Sequence, residues 1–283
     1  MKKPIILLLT CLVYLCSYSQ TLTEIKPLTT KGFYTNPIVS PTGNYVLLTK
    51  EHFNGVYLFD FKSQKTTQIS KIAGSGYGYC WSNDGICFYF KEKKENDYVS
   101  NSEVKVYNIK RKIIQKLEIN HNYLPSFQGN TKENNIVIYT NIHTLKIEAK
   151  DLNTNKTWLV TKDDGQFYNA ILSHDKTKVA VHNGAEIYIY HTDGSGLISN
   201  MGTGIATSWS KDDQYLIGFR DESKNGHEIS NSDLYLFEAN TSKTTKITTT
   251  KNTFEMFPSF YDTNKIIYAD DRTGQIFTAT LKF

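Results

Sequence analysis

A short pattern of residues recurs six times along the chain and constrains the fold more than any single residue does. Each copy joins a strand-like apolar run to a tight polar turn. The clear copies are Pro37–Gly43, Cys80–Gly85 and Ser208–Asp213, a looser copy is Ala170–Asp175, and two degenerate copies are Pro125–Gln128 and Pro258–Tyr261. Successive copies lie about 37 to 51 residues apart. A period in this range, with four short apolar runs in each unit, predicts the blades of a β-propeller.

The first unit illustrates the four runs. Asn36–Ser40 leads into a Pro-Thr-Gly turn and is followed by Tyr45–Thr49, Val56–Asp60 and Thr66–Ser70. Proline and glycine suit the turn, while β-branched and aromatic residues suit strands. We therefore predict an all-β, six-bladed propeller of four-stranded antiparallel blades, which begin near residues 36, 77, 123, 167, 205 and 255. Glu103–Glu118 also has the apolar spacing of an amphipathic helix, but its alignment with the other units favours two strands.

The two ends of the chain complement each other. The sixth unit stops at a third strand, Gln275–Phe283, whereas Thr23–Thr29 stands before the first blade and reads like a fourth strand. An open propeller would expose two sheet edges. We predict that Thr23–Thr29 completes blade six and closes the ring, with Ile25 in the same sheet as Ile276–Leu281.

The first nineteen residues have the composition of a signal peptide. Lys2 and Lys3 precede an apolar run that is short for a membrane span, and Ser17-Tyr18-Ser19 supplies small residues for cleavage before Gln20. A lipoprotein alternative would acylate Cys16, although bulky Leu15 precedes it where a small residue is favoured. Residues 20–283 then form a single propeller domain, exported to the periplasm or secreted, with no integral membrane segment.

The charge of the chain argues against a nucleic-acid partner. The sequence has 32 Lys and Arg against 28 Asp and Glu, and removal of Lys2 and Lys3 leaves a net charge of about +2. The basic residues are interspersed with acids, whereas a nucleic-acid interface needs a concentrated basic face.

Two cysteines, Cys80 and Cys87, remain after residue 19 and flank a predicted hairpin turn. They could form a disulfide in an oxidising compartment, or they could be two small buried strand residues. No cysteine and histidine spacing is typical of a zinc site, and we expect no cofactor and no bound metal.

Several motifs identify the type of propeller that the repeats resemble. Trp81–Gly85 reads Trp-Ser-x-Asp-Gly, Asp270–Gly274 forms a turn before an apolar strand, and Asp193–Gly196 resembles a turn between third and fourth strands. With these matches the sequence resembles the WD-type repeats of TolB-like propellers after residue 19. The resemblance implies a periplasmic six-bladed propeller that binds protein partners. TolB also has an α/β domain before its propeller, for which the segment ahead of the first blade is too short.

An aromatic residue stands at the start of nearly every blade. The positions are Phe33, Tyr34, Tyr77, Tyr79, Tyr123, Phe167, Tyr168, Phe254 and Phe257, with Ile205 in the fifth blade. Aromatic side chains on a loop face stack on sugars or anchor peptides, but they also wedge between blades. The candidate binding residues are Tyr34, Tyr77, Tyr79, Tyr123, Phe167, Tyr168 and Phe254.

Two long excursions separate the second and third strands of blades two and five. They span Lys91–Ser102 and Asp221–Ser232, and each ends in a similar pentapeptide, Val99–Glu103 and Ile229–Asp233. In a six-bladed ring these blades are diametrically opposite. Long loops on a rigid scaffold are usually functional or mobile. We therefore expect partners to dock on the face that carries both excursions and the aromatic residues.

Recognisable catalytic motifs are absent from the sequence. Gly74-Ser75-Gly76 and Gly194-Ser195-Gly196 lack the spacing of a nucleophile elbow. Acid pairs such as Asp163-Asp164 stand in predicted turns, where aspartate accepts backbone hydrogen bonds. The sequence thus favours an exported, non-catalytic module that binds an envelope or extracellular protein. The alternative is a carbohydrate-binding or carbohydrate-active propeller, a lyase or a hydrolase, with a site assembled at the channel mouth.

Overall fold

The computed structural model describes residues 20–82, 84–93, 102–117 and 136–283. These residues form six antiparallel sheets arranged as the blades of a propeller, and a 3-10 turn at Glu51–Phe53 is their only helical element. The predicted fold class is therefore confirmed. The proposed signal peptide, Cys16, Tyr123 and the middle of the Lys91–Ser102 excursion lie outside the described residues.

The five four-stranded blades share one order from the innermost strand outward, and the sheet of blade three contains three described strands. Blade one contains β2 (Thr35–Val39), β3 (Tyr45–Lys50), β4 (Asn54–Asp60) and β5 (Lys65–Ser70), and blade two contains β6 (Cys80–Trp81), β7 (Cys87–Lys93), β8 (Ser102–Asn108) and β9 (Ile113–Lys116). Blade three shows β10 (Ile136–Asn141), β11 (Lys146–Asp151) and β12 (Thr157–Leu159), and blade four contains β13 (Phe167–Leu172), β14 (Lys178–Asn183), β15 (Glu186–His191) and β16 (Leu197–Thr203). Blade five contains β17 (Ile205–Trp209), β18 (Tyr215–Ser223), β19 (Ile229–Glu238) and β20 (Thr244–Lys246), and blade six contains β21 (Glu255–Phe260), β22 (Lys265–Asp270), β23 (Gln275–Lys282) and β1 (Thr21–Pro27).

The first strand of the chain closes the ring as predicted. β1 pairs antiparallel with β23, from Thr21 opposite Lys282 to Pro27 opposite Phe277. The register shifts between Thr23 and Lys26, so Ile25 lies in a bulge of this sheet and is exposed. The N-terminal segment thus covers the edge that β23 would otherwise expose.

The apolar core lies between neighbouring blades. One cluster joins Phe219 and Leu234 of blade five to Tyr268 and Leu281 of blade six. The middle strands are buried on both faces, as in β3, where Val46 to Thr49 are all buried. This burial accounts for the near-continuous apolar runs of the middle strands.

The tryptophan of the repeat links successive blades. The indole nitrogen of Trp81 in blade two donates to the carbonyl of Ile38 in blade one at 3.0 Å. Trp209 in blade five makes the same bond to Ile171 in blade four at 2.9 Å. Because both carbonyls belong to the innermost strand of the preceding blade, each tryptophan fixes the spacing of two inner strands.

The serine of the repeat closes the turn between the first and second strands. Its hydroxyl oxygen accepts the backbone N–H of the residue that stands five positions later in the chain. The pairs are Ser40 with Tyr45 at 3.1 Å, Ser82 with Cys87 at 2.9 Å, Ser173 with Lys178 at 3.0 Å and Ser210 with Tyr215 at 3.0 Å. The hydroxyl satisfies an N–H group at the start of the second strand that the turn leaves without a backbone partner.

Two expectations about loops and cysteines need correction. Asp221–Ser232 is a hairpin rather than a loop, because β18 continues to Ser223 and β19 begins at Ile229. Cys80 lies opposite Tyr89 rather than Cys87 in the register of β6 and β7, and both cysteines are thiols. The condition for the disulfide, that the two cysteines face each other, is therefore not met. Up to Leu117, the described part of the predicted segment Glu103–Glu118 forms two strands, as predicted, and these belong to β8 and β9.

Candidate binding face

The candidate site lies on one face of the ring, which we call the upper face. It carries the loops that lead into the first strand of each blade and the turns between second and third strands. The lower face carries the repeated serine turns.

The predicted aromatic residues fall into three groups by exposure. Tyr77 and Tyr168 are exposed, with 67% and 46% of their surface accessible. Tyr34 and Phe254 are partly buried, and the Tyr34 ring packs edge-on against Tyr57. Tyr79 and Phe167 are core residues with accessible fractions of only 3% and 2%. Of the described candidates, Tyr77 and Tyr168 thus offer the largest exposed surface to a partner.

The two buried candidates pack within the ring. The Tyr79 hydroxyl donates to the carbonyl of Asn36 in the preceding blade. Phe167 belongs to the core cluster between blades three and four and packs edge-on against Tyr190. Each residue wedges between blades, which was the competing interpretation of the aromatic pattern.

Sequence reasoning missed an aromatic side chain that belongs to this face. Phe53, in the turn between the second and third strands of blade one, contacts Tyr77 edge-on at a centroid distance of 5.2 Å. It also contacts Phe257 of blade six at 5.9 Å, and Phe257 contacts Phe219 of blade five at 5.1 Å. The four rings form a continuous aromatic chain across blades five, six, one and the start of blade two. Offset and edge-on ring contacts of this kind add about 0.5–1.5 kcal/mol per pair.

The backbone that presents Phe53 is unusual. His52 and Phe53 have φ angles of 56° and 57°, two consecutive residues in the left-handed region without glycine. Each such residue costs roughly 1–2 kcal/mol. Side-chain size and hydropathy do not predict this backbone conformation, so the sequence did not indicate that the ring of Phe53 lies on the upper face.

Tyr168 divides two grooves on the upper face of blade four. A groove of about 460 Å³ on one side is lined by Gln166, Asn183 and Gly184 among others. A groove of about 370 Å³ on the other side is lined by Ile205, Arg220 and Asp221 among others. The Tyr168 hydroxyl donates to the carbonyl of Gly184 at 2.7 Å, which fixes the ring between the grooves.

A buried histidine supports Tyr168 from beneath. The His182 ring stacks on Tyr168 at a centroid distance of 5.5 Å. Its Nε2 accepts the backbone N–H of Ala206 at 3.0 Å, so this nitrogen carries no proton. Burial lowers the pKa of His182 to about 4, against the opposing effect of a hydrogen bond that the ring donates to the backbone of Asn169. His182 is therefore a neutral structural support at physiological pH.

One carboxylate with a raised pKa is sealed inside the upper face. Glu255, 3% accessible, accepts hydrogen bonds from Thr253 at 3.0 Å and Thr248 at 3.2 Å, and a further one from Thr250. Burial raises its pKa and the nearby Asp233 charge adds to the rise, while the threonine hydroxyls oppose it. Asp233 itself pairs with Lys246 at 2.6 Å. The carboxylate of Glu255 is therefore hydrogen-bonded within the protein.

A second raised pKa belongs to Asp271, at the turn after β22. Burial raises it, the hydroxyl of Thr35 opposes the rise, and the charge of Glu51 adds to it. Glu255 pairs in register with Asp270, the residue before Asp271. The groups that act on Asp271, Thr35 and Glu51, belong to blade one. The charge that acts on Glu255 is that of Asp233 in blade five. The two groups have separate sets of neighbours and do not form an acid–base pair.

The described ranges contain neither a cluster of metal-ligand residues nor a long apolar helix. Among these residues, no three His, Cys, Asp or Glu side chains are grouped as a metal ion would require. Over the same part of the chain, no helix has the length and apolar character needed to cross a bilayer.

Comparisons with known proteins agree on the fold. No protein-family model matches the chain, and no curated protein is found as a relative. Many solved structures do match. TolB from Acinetobacter baumannii superposes with a TM-score of 0.61 at 14% identity, over 81% of this chain and 57% of that chain. The predicted TolB-like propeller fold is confirmed.

Two further structures show how widely this fold is shared. The Cps50 (Swd1) β-propeller domain of Myceliophteria thermophila matches with a TM-score of 0.60 at 11% identity, over 93% of this chain and all of that domain. Oligogalacturonate lyase from Vibrio parahaemolyticus matches with a TM-score of 0.54 at 10% identity, over 89% of this chain and 79% of that chain. The chain spans 57% of the length of the TolB structure. At these identities the likeness concerns the fold alone.

Proposed function

We propose that the protein is an exported, non-catalytic propeller that binds a protein partner of the envelope or the extracellular space on its upper face. One contrast on this face carries the proposal. The aromatic rings of Tyr77 and Tyr168 are open to solvent, whereas the carboxylate of Glu255 is closed off by threonine hydroxyls. Exposed aromatic rings give large contact area with few rotatable bonds, which favours a binding role.

The scaffold supports this role. The inner strands are tied to one another through Trp81 and Trp209, and the ring is closed by β1. Side chains on such a scaffold keep their relative positions, which lowers the entropy lost on binding. Export rests on the signal-peptide composition of residues 1–19, with cleavage after Ser19, and N-terminal sequencing of the secreted protein tests it.

The test of the binding role replaces Tyr77 and Tyr168 together by alanine. If the two rings anchor the partner, the double variant should bind it more weakly by about 2 kcal/mol or more, with a much smaller loss of folding stability. The natural partner is captured from an envelope extract and its affinity is then measured with purified components.

Phe283→Ala is a matched control for this experiment. Phe283 is an exposed aromatic residue that packs on Tyr215, at the opposite end of the blades from the upper face. This control should bind the partner as the wild type does. A double variant that unfolds would instead assign the two tyrosines to blade packing and remove the main support for the proposal.

A carbohydrate ligand is the second candidate, favoured by the surroundings of Tyr168. The exposed ring stands beside the amides of Gln166 and Asn183 in the larger groove. Aromatic rings with adjacent hydrogen-bonding groups suit a sugar ring, which has apolar faces and hydroxyl edges. Calorimetry with oligogalacturonate and a panel of other oligosaccharides separates the candidates. Saturable binding that is lost in Tyr168→Ala would favour the carbohydrate.

A further inference from the structure

The hairpin that β18 and β19 form in blade five extends beyond the end of β17, the inner strand beside it. β17 begins at Ile205, which lies opposite Phe219 of β18, yet β18 continues to Ser223. β19 pairs with this extension on the outer side, from Arg220 opposite Asp233 to Ser223 opposite Ile229. No strand among the described residues pairs with the inner edge of residues 220–223.

The backbone of Asp221 faces this open edge. The carbonyl of Leu234 accepts the N–H of Ile247 at 2.9 Å, and the N–H of Leu234 donates to the hydroxyl of Thr248 at 2.9 Å. Both backbone groups of Leu234 therefore point away from β18. The Phe219–Leu234 pair is therefore of the non-hydrogen-bonded kind. Because the two kinds of pair alternate in an antiparallel ladder, the Asp221–Ser232 pair is of the same kind. Both backbone hydrogen-bonding groups of Asp221 thus face inward, away from β19.

A groove lies directly beside this edge. Asp221 lines the groove of about 370 Å³ together with Gly184, where a Cβ would meet only open space and which therefore leaves room for a second backbone. Ile205 and Tyr168 line the same groove and are exposed, with 38% and 46% of their surface accessible. An extended chain in this groove would find backbone partners on one side and an apolar wall on the other.

The charges around the edge indicate the occupant. Residues 221–228 are all exposed and carry three carboxylates, Asp221, Glu222 and Glu228, against one lysine, Lys224. The guanidinium of Arg220 is engaged, because its Nε donates to the carbonyl of Thr203 at 2.6 Å and it lies 4.3 Å above the Tyr235 ring. The edge is acidic and therefore complements a basic chain.

We propose that this edge of blade five binds an extended segment of a partner protein in which lysine or arginine alternates with apolar residues. The segment adds a strand beside β18, forms both backbone hydrogen bonds with Asp221, and places its apolar side chains against Ile205 and Tyr168. Its basic side chains share one face of the added strand and meet the carboxylate of Asp221, since Glu222 lies on the opposite face of β18. This inference rests on the protein-binding function proposed above and gives the partner its chemical class.

The experiment uses a fluorescein-labelled heptapeptide of alternating lysine and valine, titrated into the protein without residues 1–19. A glutamate–valine peptide is the matched control and should bind at least tenfold more weakly. Asp221→Pro removes the inward N–H, which the β18–β19 ladder does not use. This substitution should weaken peptide binding about tenfold, as expected for the loss of one hydrogen bond worth about 1.4 kcal/mol. Asp221→Asn keeps the N–H and removes the charge, so its effect should be smaller.

Amide hydrogen exchange provides a readout that does not depend on the variants. In the wild type, the lysine–valine peptide should slow exchange of the Asp221 amide and leave that of Arg220, already within the β18–β19 ladder, unchanged. Unchanged exchange at Asp221, or equal affinity of wild type and Asp221→Pro, would overturn the inference. If the natural partner still depends on Tyr77 and Tyr168 in that case, the binding function stands without this edge.

Discussion

The indole nitrogen of Trp209 donates a 2.9 Å hydrogen bond to the carbonyl of Ile171, and so joins the inner strands of blades four and five. Trp209 is almost fully buried. We expect Trp209→Phe to lower the free energy of unfolding by about 2 kcal/mol, because the carbonyl loses its buried donor and the smaller ring packs less well. Urea denaturation measures the change. Trp81→Phe should behave alike, and two variants as stable as wild type would contradict a role in joining blades.

On the lower face, Asp213 links the turns of two blades. Its Oδ1 accepts from the backbone N–H of His174 at 2.8 Å and lies 2.9 Å from the His174 ring nitrogen, and its Oδ2 accepts the N–H of Asp175 at 2.8 Å. Burial acts to raise the pKa of Asp213, but these hydrogen bonds outweigh it and the pKa is lowered.

A lowered carboxyl pKa stabilises the fold above the pKa of the unfolded chain, near 4, and this stability is lost as the pH falls through the folded value. We expect Asp213→Asn to cost about 2 kcal/mol at pH 7 and progressively less below pH 4. Urea denaturation at both pH values measures the difference. Asp262→Asn is the comparison: this lower-face carboxylate also has a lowered pKa, but its side chain is half exposed, so its cost should be smaller. A cost that does not depend on pH would show that the charge is unimportant.

Glu255 should have the opposite pH dependence. Its pKa is raised by burial and by the Asp233 charge, so the ionised form is disfavoured in the folded state. Wild-type stability therefore decreases as the pH rises from the unfolded pKa through the folded one. We expect the stability of Glu255→Gln relative to wild type to increase between pH 4 and pH 7, measured by urea denaturation. A constant difference would mean that the pKa of Glu255 is not raised.

Closure of the ring by β1 predicts a large effect of a short deletion. Beyond the ladder with β23, Leu28 N donates to the carbonyl of Ile276 at 2.7 Å, and the hydroxyl of Thr29 accepts Ile276 N at 3.0 Å. Removal of residues 20–29 leaves these groups and the whole edge of β23 without partners. We expect a loss of at least about 3 kcal/mol and a tendency to aggregate. Unchanged thermal stability of the truncated chain would show that blade six is complete without β1.

The regular part of the molecule could be predicted because each repeat residue has a local task. The serines accept an N–H five residues later, and the tryptophans reach back one blade, so both recur at the period of the fold. Closure of the ring was also readable, since a fourth strand was missing at one end and a spare one stood at the other.

The candidate site was only partly readable, because bulges interrupt the inner strands. The register shifts beside Asn36, Asn169 and Phe257, and each of these residues has a positive φ near 50°. A bulge adds one residue to the strand and changes which face the following side chains occupy. Alternation in the sequence therefore could not separate exposed Tyr168 from buried Phe167.

The sequence alone determined the number of blades, the order of the strands and the closure of the ring, since these follow from local patterns repeated along the chain. The tertiary structure decided which aromatic rings reach solvent and that Phe53 joins Tyr77 and Phe257. It also decided that the backbone of Asp221 faces an open edge. These outcomes depend on bulges, left-handed residues and contacts between blades, and such long-range packing leaves no periodic trace in the order of the residues.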